Sequence, residues 1–444
     1  MGNKILARLI TLMILLLFPL KTFAQLHEYV AAEDKAFKFE TVSSMLLDNQ
    51  MLLYELCLTS QKWQDIEWHH ALQIFKPSYI KSKFPLVLFF VFGSEKKQAA
   101  LTFGPELAQA VGSYVVIIHD IPNQPLFGGH REDDLIAHTF LQSLKTGDTT
   151  LPLLFPMVKA VVKGMDATEA FLHDEFNTSA SGFLVTGASK RAWTTWLTAA
   201  VDTRVKGIIP VVYDNLNLKG QMELQIKSWG KFSVRISSYD EMGLPQLLLS
   251  GNDSAAKLAS MVDPFTYLDK ITGPKLIIIG TNDPYWPLDA LNLYYNSLVG
   301  ERYILYLPNT GHTFEPYKSK WIDEITVFFQ KVNSYIELPA LTWDMQDLPD
   351  RFKLTILSDI LPISIKTWAA VSQSKDFRKA SWAAFPMDKE NQAYTFTHKK
   401  PSTGTIAIFA EALYKIGGRS FSLTSRIWIF EGAESQPEQK DMAE

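Results

Sequence analysis

Short, almost continuous apolar runs, separated by stretches of helical character, constrain the fold of this chain more than any other feature. They are rich in β-branched and aromatic residues and cover residues 85–93, 114–122, 182–187, 205–213, 275–283 and 302–312. Strands with this composition are buried on both faces, as in a mostly parallel sheet with helices packed on each side. Two alternating, strand-like pieces, "YELCLTSQKW" and "WHHALQIFKP", precede these runs. The sequence therefore predicts an α/β fold.

The pattern changes twice along the chain. Residues 215–271 form a polar stretch of helical character, longer than a simple crossover needs, and we expect a cap insertion there. After about residue 335, alternating segments joined by turn residues predict a small all-β sandwich over residues 335–432. The predicted main domain is thus 25–334, and the polar residues 433–444 are expected to be a disordered tail. At 444 residues the chain is long enough for two domains.

The N-terminal segment has the pattern of a secretory signal peptide. Lys4 and Arg8 precede an apolar run from Leu9 to Leu20, and a plausible cleavage site ends at Ala24. The run is shorter than the ~20 residues that span a bilayer, so no stable membrane anchor is expected. We therefore predict an exported protein, periplasmic or secreted, whose mature chain begins near Gln25.

The charge and the cysteine content exclude several classes of function. A formal net charge of -4 argues against nucleic acid as a partner, because there is no excess of basic residues to attract phosphates. The single cysteine, Cys57, rules out an internal disulfide and is expected to be a small buried residue of a strand.

The stretch "GFLVTGASKRAW" places a serine where a buried strand gives way to a helix. The nucleophile elbow of α/β-hydrolases is written G-x-S-x-G, and this chain has Gly187-Ala188-Ser189-Lys190-Arg191. A serine at such a turn has its hydroxyl exposed above the sheet. Ser189 is therefore the candidate nucleophile of an α/β-hydrolase sheet, although a serine there could also serve as a helix N-cap.

A base and an acid follow in the chain order that hydrolases use. Asp283 comes directly after the run that begins "KLIIIG", and His312 comes directly after the next, "RYILYLPNTGH". His312 could take the serine proton while Asp283 orients the imidazole. Asp214, after the preceding run, is the rival acid, and Asp289 is a third candidate. The alternative reading makes His312 a loop histidine and Asp283 an Asx-turn residue.

Arg191 stands where the elbow motif has its last glycine, so Ala192 is expected to supply the small residue there. The local sequence resembles the G-C-S-R-x-G elbow of glucuronoyl esterases, in which a basic residue follows the serine. By that resemblance the ammonium of Lys190 could face a developing oxyanion, or it could be a solvated residue of the first helical turn. The backbone N–H of Lys190 and the loop at Gly93, Ser94 and Glu95 are the other predicted donors.

No cofactor and no metal site is predicted. The chain has no glycine-rich phosphate loop, and the adjacent His69 and His70 point to opposite faces of a strand, which does not suit a shared metal ion.

Four stretches together resemble one known family. They are "GASKRAWTTWLTAAVDTRVKGIIPVVYDNLN", "PNQPL", "VDPFTYLDK" and "LPNTGH". They are similar to the PhoPQ-activated pathogenicity-related proteins, a family that includes secreted autocrine proliferation repressors, and the resemblance covers residues from about 28 to about 430. Members usually have glycine where this chain has Ala192. The resemblance implies an α/β-hydrolase fold and export.

Two functions remain open on the sequence. The first is a serine hydrolase that acts on a small ester, an amide or a peptide. The second is an extracellular signalling or host-interaction protein built on the same scaffold, with little or no catalysis. In either, the C-terminal β region could bind a protein partner or could brace the main domain.

Overall fold

The computed structural model of the chain describes residues 25–93, 97–313 and 317–432. The predicted signal peptide, the predicted tail, and Ser94 with Glu95 lie outside these ranges. The chain forms two compact units, which do not follow the predicted boundary at residue 335. Of the described residues, the first unit holds those up to Met222 together with Ile236–Lys275 and Ser297–Arg302, and the second holds Glu223–Arg235, Leu276–Asn296 and those from Tyr303 onward.

The first unit contains a mixed β-sheet. Its strands are β1 (Lys38–Leu46), β2 (Leu52–Trp63), β3 (Ile66–Lys76), β4 (Leu86–Val91), β5 (Val115–Ile118), β6 (Gly182–Ala188) and β7 (Val205–Val211). They follow the order β1-β2-β3-β5-β4-β6-β7. The pairs from β1 to β5 are antiparallel, and those from β5 through β4 and β6 to β7 are parallel. The parallel strands are almost completely buried, as their apolar composition predicts.

Helices connect the strands, and several belong to the predicted cap. They are α1 (25–31), α2 (Lys97–Leu101), α3 (Gly104–Val111), α4 (Glu132–Thr146), α5 (Leu154–Phe176), α6 (Lys190–Val201), α7 (Leu218–Trp229), α8 (Ser237–Glu241), α9 (Leu244–Leu249), α10 (Asp253–Val262) and α11 (Lys318–Val332). Short 3-10 helices cover Asp48–Gln50, Val234–Ile236, Pro264–Tyr267, Ala290–Leu293 and Tyr295–Ser297. The helical character predicted for residues 215–271 is therefore confirmed.

The second unit holds β8 (Lys275–Gly280) and β9 (Arg302–Leu307), apart from their first residues, and an all-β region. The strands of this region are β10 (Leu341–Asp347), β11 (Arg351–Ser358), β12 (Ser364–Ser372), β13 (Ala383–Pro386), β14 (Asp388–Glu390), β15 (Ala393–Lys399), β16 (Thr405–Ile416), β17 (Arg419–Thr424) and β18 (Trp428–Glu431). They form a four-stranded and a five-stranded sheet. Phe352 and Ile356 of one sheet share a hydrophobic cluster with Ile408 and Phe430 of the other.

Each apolar run contains a strand, so the prediction of an α/β fold followed by an all-β region is confirmed. The prediction for Cys57 is wrong, because its side chain is exposed. Side chains alternate between the two faces of a strand. On β2 the neighbours Leu56 and Leu58 are buried, and Cys57 lies on the other face.

Among residues 25–93, 97–313 and 317–432, none of the helices combines the length and the hydropathy of a membrane span.

Candidate active site

Ser189 lies at the turn from β6 into α6, in a backbone conformation that serine rarely adopts. Its φ is 57° and its ψ is -128°. Positive φ is uncommon outside glycine, asparagine and aspartate, and strained residues of this kind cluster at functional sites. The backbone N–H of Ser189 donates to the carbonyl of Val211 at the end of β7, at 2.8 Å, and its own carbonyl accepts from Ala192 and Trp193. These hydrogen bonds hold the strained turn in place. The side chain makes no helix-capping hydrogen bond.

Gly187 supplies the close approach that the turn requires. A Cβ atom at this position would lie 2.7 Å from the carbonyl oxygen of Arg191 and 2.8 Å from its carbonyl carbon, which is backbone that cannot move aside. The contact of Arg191 with the strand is thus made by its main chain. Its guanidinium lies against Gly93 instead. Position 191 therefore does not need a small residue. Ala192 is buried, and its predicted role as the small residue of the turn stays a prediction.

The guanidinium of Arg191 belongs to a network of charges beside the elbow. Both of its terminal nitrogens donate to the carboxylate of Glu132, each at 2.6 Å, and its Nε donates to the carbonyl of Ile121. Gln124 also donates to Glu132 and accepts from its backbone N–H. Burial alone would raise the pKa of Glu132, but the hydrogen bond and the charge of Arg191, with those of Lys190, lower that pKa well below its usual range. The charged form of Glu132 is therefore favoured by its two basic neighbours.

Lys190 is buried, with 8% of its surface exposed, so the reading as a solvated residue is wrong. Its Nζ lies 2.9 Å from Glu132 and 3.4 Å from Asp133. The ammonium charge is thus already shared with two carboxylates. Its predicted contact with an oxyanion stays a prediction. Lys190 is the first residue of α6, and the first N–H groups of a helix have no carbonyl partner within it. The backbone N–H of Lys190 is therefore a candidate donor for an oxyanion.

In the second unit, the structure brings Asp283 and His312 together. Asp283 follows β8 and His312 follows β9. The Nδ1 atom of His312 lies 2.7 Å from Oδ2 of Asp283, and the Asp283 side chain is 4% exposed while that of His312 is 20% exposed. A carboxylate on Nδ1 fixes the tautomer that carries its proton there, which leaves Nε2 as the basic nitrogen. This arrangement suits a histidine that acts as a general base.

Tyr285 holds both members of this pair. Its backbone N–H donates to Oδ1 of Asp283 at 2.9 Å, and its ring lies over the imidazole of His312 with centroids 4.2 Å apart. Gln225 and Ser233 in turn donate to the carbonyls of Tyr285 and Pro284. The Asp283 carboxylate is thus held at Oδ2 by His312 and at Oδ1 by the backbone of its own loop.

Other residues predicted for the site are Asp214, Asp289, Gly93 and Ser94. Asp214 is buried just after β7, in the first unit. Burial raises the pKa of Asp289, the third candidate acid, which lies at the start of a 3-10 helix. Gly93 lies next to Arg191, and Ser94 is outside the described residues.

The sequence interpretation missed Glu132 and Tyr285. Glu132 carries no motif, and its role depends on a contact with Arg191 across 59 residues. Tyr285 could have been found from its position two residues after a candidate acid, since Asx turns use the backbone N–H at that position.

The fold is of the α/β class, with a serine at a strained strand-to-helix turn in one unit and a hydrogen-bonded Asp–His pair after later strands in the other. The chain belongs to the PhoPQ-activated pathogenicity-related protein family, whose sequence model matches residues 26–378. It is 30% identical over 449 residues to autocrine proliferation repressor protein A of Dictyostelium discoideum, across 92% of this chain and 89% of that protein.

Solved structures resemble the chain more distantly. Acetyl xylan esterase 1 from Thermoanaerobacterium sp. JW/SL YS485 is 15% identical, with a TM-score of 0.46 over 68% of this chain and 92% of that one. The acetyl xylan esterase from Paenibacillus sp. R4 is 15% identical, with a TM-score of 0.48 over 72% of this chain and 94% of that one.

Proposed function

We propose that this protein is a serine hydrolase of ester or peptide bonds, with Ser189 as nucleophile, His312 as general base and acid, and Asp283 as the residue that orients the imidazole. The observation that carries the proposal is the backbone of Ser189, at φ 57° and ψ -128° on the turn between β6 and α6. Such strain persists only where surrounding structure enforces it. The hydrogen-bonded Asp283–His312 pair supports the same reaction.

In this reaction, Nε2 of His312 accepts the proton of the Ser189 hydroxyl as Oγ attacks the substrate carbonyl carbon. The carbonyl π electrons move onto oxygen, and the backbone N–H of Lys190 donates to that oxyanion together with a donor from the loop at Gly93 and Ser94. His312 then protonates the leaving alcohol or amine as the bond to carbon breaks. His312 then takes a proton from water as the water oxygen attacks the carbonyl carbon of the serine ester. The bond from that carbon to Oγ breaks, His312 returns the proton to Oγ, and the free acid leaves.

The finer features of the chain fit this role. We propose that residues 215–271 form a cap of the site on an α/β-hydrolase fold, and that the two C-terminal sheets form a sandwich through their shared cluster. We also propose that the chain is exported after cleavage near Gln25, as the N-terminal sequence indicates. The name of the Dictyostelium relative suggests that growth regulation is the setting of the activity.

Labelling with a fluorophosphonate probe tests the proposal without knowledge of the substrate. The wild-type protein should be labelled, and Ser189→Ala should not be. Ser260→Ala is the matched control, because Ser260 is a helical serine whose hydroxyl only bonds the carbonyl of Lys257. Equal labelling of the Ser189→Ala variant, or no labelling of the folded wild-type protein, would overturn the proposal.

A further inference from the structure

One segment of the C-terminal β region, residues 377–382 between β12 and β13, is hydrogen-bonded to the loop that carries Asp283. Asn282, the residue before the candidate acid, points its amide nitrogen into this segment. The nitrogen donates to the carbonyl of Ala380 at 2.7 Å and to that of Phe377 at 3.2 Å. The loop after β8 is thus bonded to main chain almost a hundred residues away.

The same segment is bonded to the loop that carries His312. The side-chain amide of Asn309 pairs with the backbone of Trp382 in two directions. Its nitrogen donates to the Trp382 carbonyl at 3.0 Å, and its oxygen accepts from the Trp382 N–H at 2.7 Å. Two hydrogen bonds on one planar amide fix orientation as well as distance.

The two loops are also bonded to each other at the asparagines. The backbone N–H of Asn309 donates to Oγ1 of Thr281 at 3.0 Å, and that hydroxyl donates to Oδ1 of Asn282 at 2.8 Å. The backbone N–H of Asn282 donates to the carbonyl of Thr310 at 2.9 Å. The acid loop, the histidine loop and the 377–382 segment therefore form one hydrogen-bonded group.

The segment itself is firmly held. Phe377 and Trp382 are buried, and the Trp382 ring packs on Phe409 of β16 with centroids 5.2 Å apart. The guanidinium of Arg378 lies 4.1 Å from the centre of the Trp229 ring, at the end of α7. A rigid support of this kind is what a reacting pair needs if its geometry is to be kept within a fraction of an ångström.

We propose that Asn282 and Asn309 are positioning residues, through which the C-terminal β region sets the geometry of the Asp283–His312 pair. This inference rests on the proposed function. Neither asparagine is assigned contact with substrate. Asn282 acts through the main chain of the adjacent Asp283, and Asn309 acts through the loop 309–312 that leads to His312. The β region then contributes to the geometry of the site.

Asn282→Ala and Asn309→Gly, singly and together, test the proposal. Glycine is the choice at position 309 because the backbone there has a φ of 56°, which alanine would strain. Asn292→Ala is the matched control. Its amide nitrogen also donates to a carbonyl of the β region, that of Ile427 at 3.0 Å, but it lies on neither loop. Each of the three substitutions thus removes a hydrogen bond from an asparagine amide to a backbone carbonyl of the β region.

Two measurements are made on the full chain. The first is the rate of fluorophosphonate labelling as a function of pH. The second is the low-field proton resonance of the Nδ1–H between His312 and Asp283, assigned by its loss in His312→Gln. A purely structural role would lower the melting temperature and leave both unchanged once the protein is folded.

We expect each single variant to be labelled roughly ten-fold more slowly and the double variant about a hundred-fold more slowly, the scale of a misplaced reacting group. The pH profile and the resonance should shift in these variants and stay as in the wild type in Asn292→Ala. If the double variant does not fold, the single variants decide, since each keeps the other asparagine in place.

Wild-type labelling rates, pH profiles and resonances in both single variants would overturn the inference. If the wild-type protein is not labelled at all, the proposed function fails. The resonance then still decides the inference. It should shift in Asn282→Ala and Asn309→Gly, and an unchanged resonance would refute the positioning role.

Discussion

Oδ2 of Asp283 lies 2.7 Å from Nδ1 of His312, although 29 residues separate the two in the chain. The contact depends on two adjacent strand ends. The backbone N–H of Thr281, just after β8, donates to the carbonyl of Leu307, the last residue of β9. The loops that follow β8 and β9 therefore begin side by side. A carboxylate that is 4% exposed, with its second oxygen bonded to Tyr285, is well placed to orient the imidazole.

If His312 is the base of the proposed reaction, replacement of this carboxylate should slow the labelling of Ser189 far more than it affects folding. In Asp283→Asn, the amide can donate to Nδ1 and so favours the tautomer whose Nε2 carries the proton and cannot act as a base. We expect the labelling rate to fall roughly 10⁴-fold, as for other triads that lose the acid in this way. Asp214→Asn should stay within about ten-fold of the wild type. The reverse ranking of the two variants would make Asp214 the acid.

Gly187→Ala should disrupt the elbow. The added Cβ would lie 2.7 Å from a backbone oxygen of Arg191, closer than real contacts allow. The main chain must then shift, and we expect a loss of about 1–3 kcal/mol in the free energy of unfolding, together with slower labelling of Ser189. Gly311→Ala is the control, since its Cβ would meet only the Asn282 carbonyl, at 3.7 Å. Denaturant unfolding of both variants would show whether the steric argument holds, and equal stabilities would count against it.

His70 should make the protein sensitive to mild acid. Burial lowers its pKa from 6.5 to about 4, against the opposing effect of the backbone hydrogen bonds at His119 and Asp120. Because the folded-state pKa is below the unfolded value, the unfolded chain binds the proton more tightly. Stability is then complete above pH 6.5 and is lost as the pH falls toward 4. A pKa shift of this size corresponds to a change of about 3 kcal/mol in the free energy of unfolding between the two ends of this pH range.

The check is the free energy of unfolding of the wild type and of His70→Gln between pH 4 and pH 7. Titration of the other groups cancels in the difference between the two proteins. We expect the advantage of the wild type to shrink steadily as the pH falls through this window. A difference that does not change with pH would mean that His70 titrates alike in the folded and unfolded chains.

The sequence predicted what depends on local order. Strand burial follows from composition, and the place of Ser189 follows from the junction between a strand and a helix. The positions of Asp283 and His312 follow from a general rule, that the carboxyl ends of parallel strands share one edge of a sheet. That rule needs no knowledge of distant contacts.

The sequence could not predict what depends on pairing between distant residues. The elbow motif has a glycine at the place of Arg191, so a long side chain at this position is unexpected from the sequence. The structure turns that side chain toward Glu132, 59 residues earlier. The partners of Asn282 and Asn309 in the C-terminal β region lie 98 and 73 residues later. No local pattern encodes such contacts.

Lys190 offers the sharpest remaining test, because its ammonium and its backbone N–H are two different candidates for the oxyanion. The ammonium is buried and lies 2.9 Å from Glu132 and 3.4 Å from Asp133. A charge shared with two carboxylates has less to gain from a third anion. The backbone N–H, in contrast, has no intrahelical partner at the start of α6.

Lys190→Met keeps the backbone N–H and removes the ammonium. We expect the labelling rate to stay within about ten-fold of the wild type, since the loss of one true oxyanion donor costs roughly 10² or more. Stability should fall by about 1–3 kcal/mol, because Asp133 loses an ion-pair partner in a largely buried setting. Labelling kinetics and denaturant unfolding of the same preparation separate the two effects. A labelling rate that falls more than about a hundred-fold at unchanged stability would assign the oxyanion contact to the ammonium.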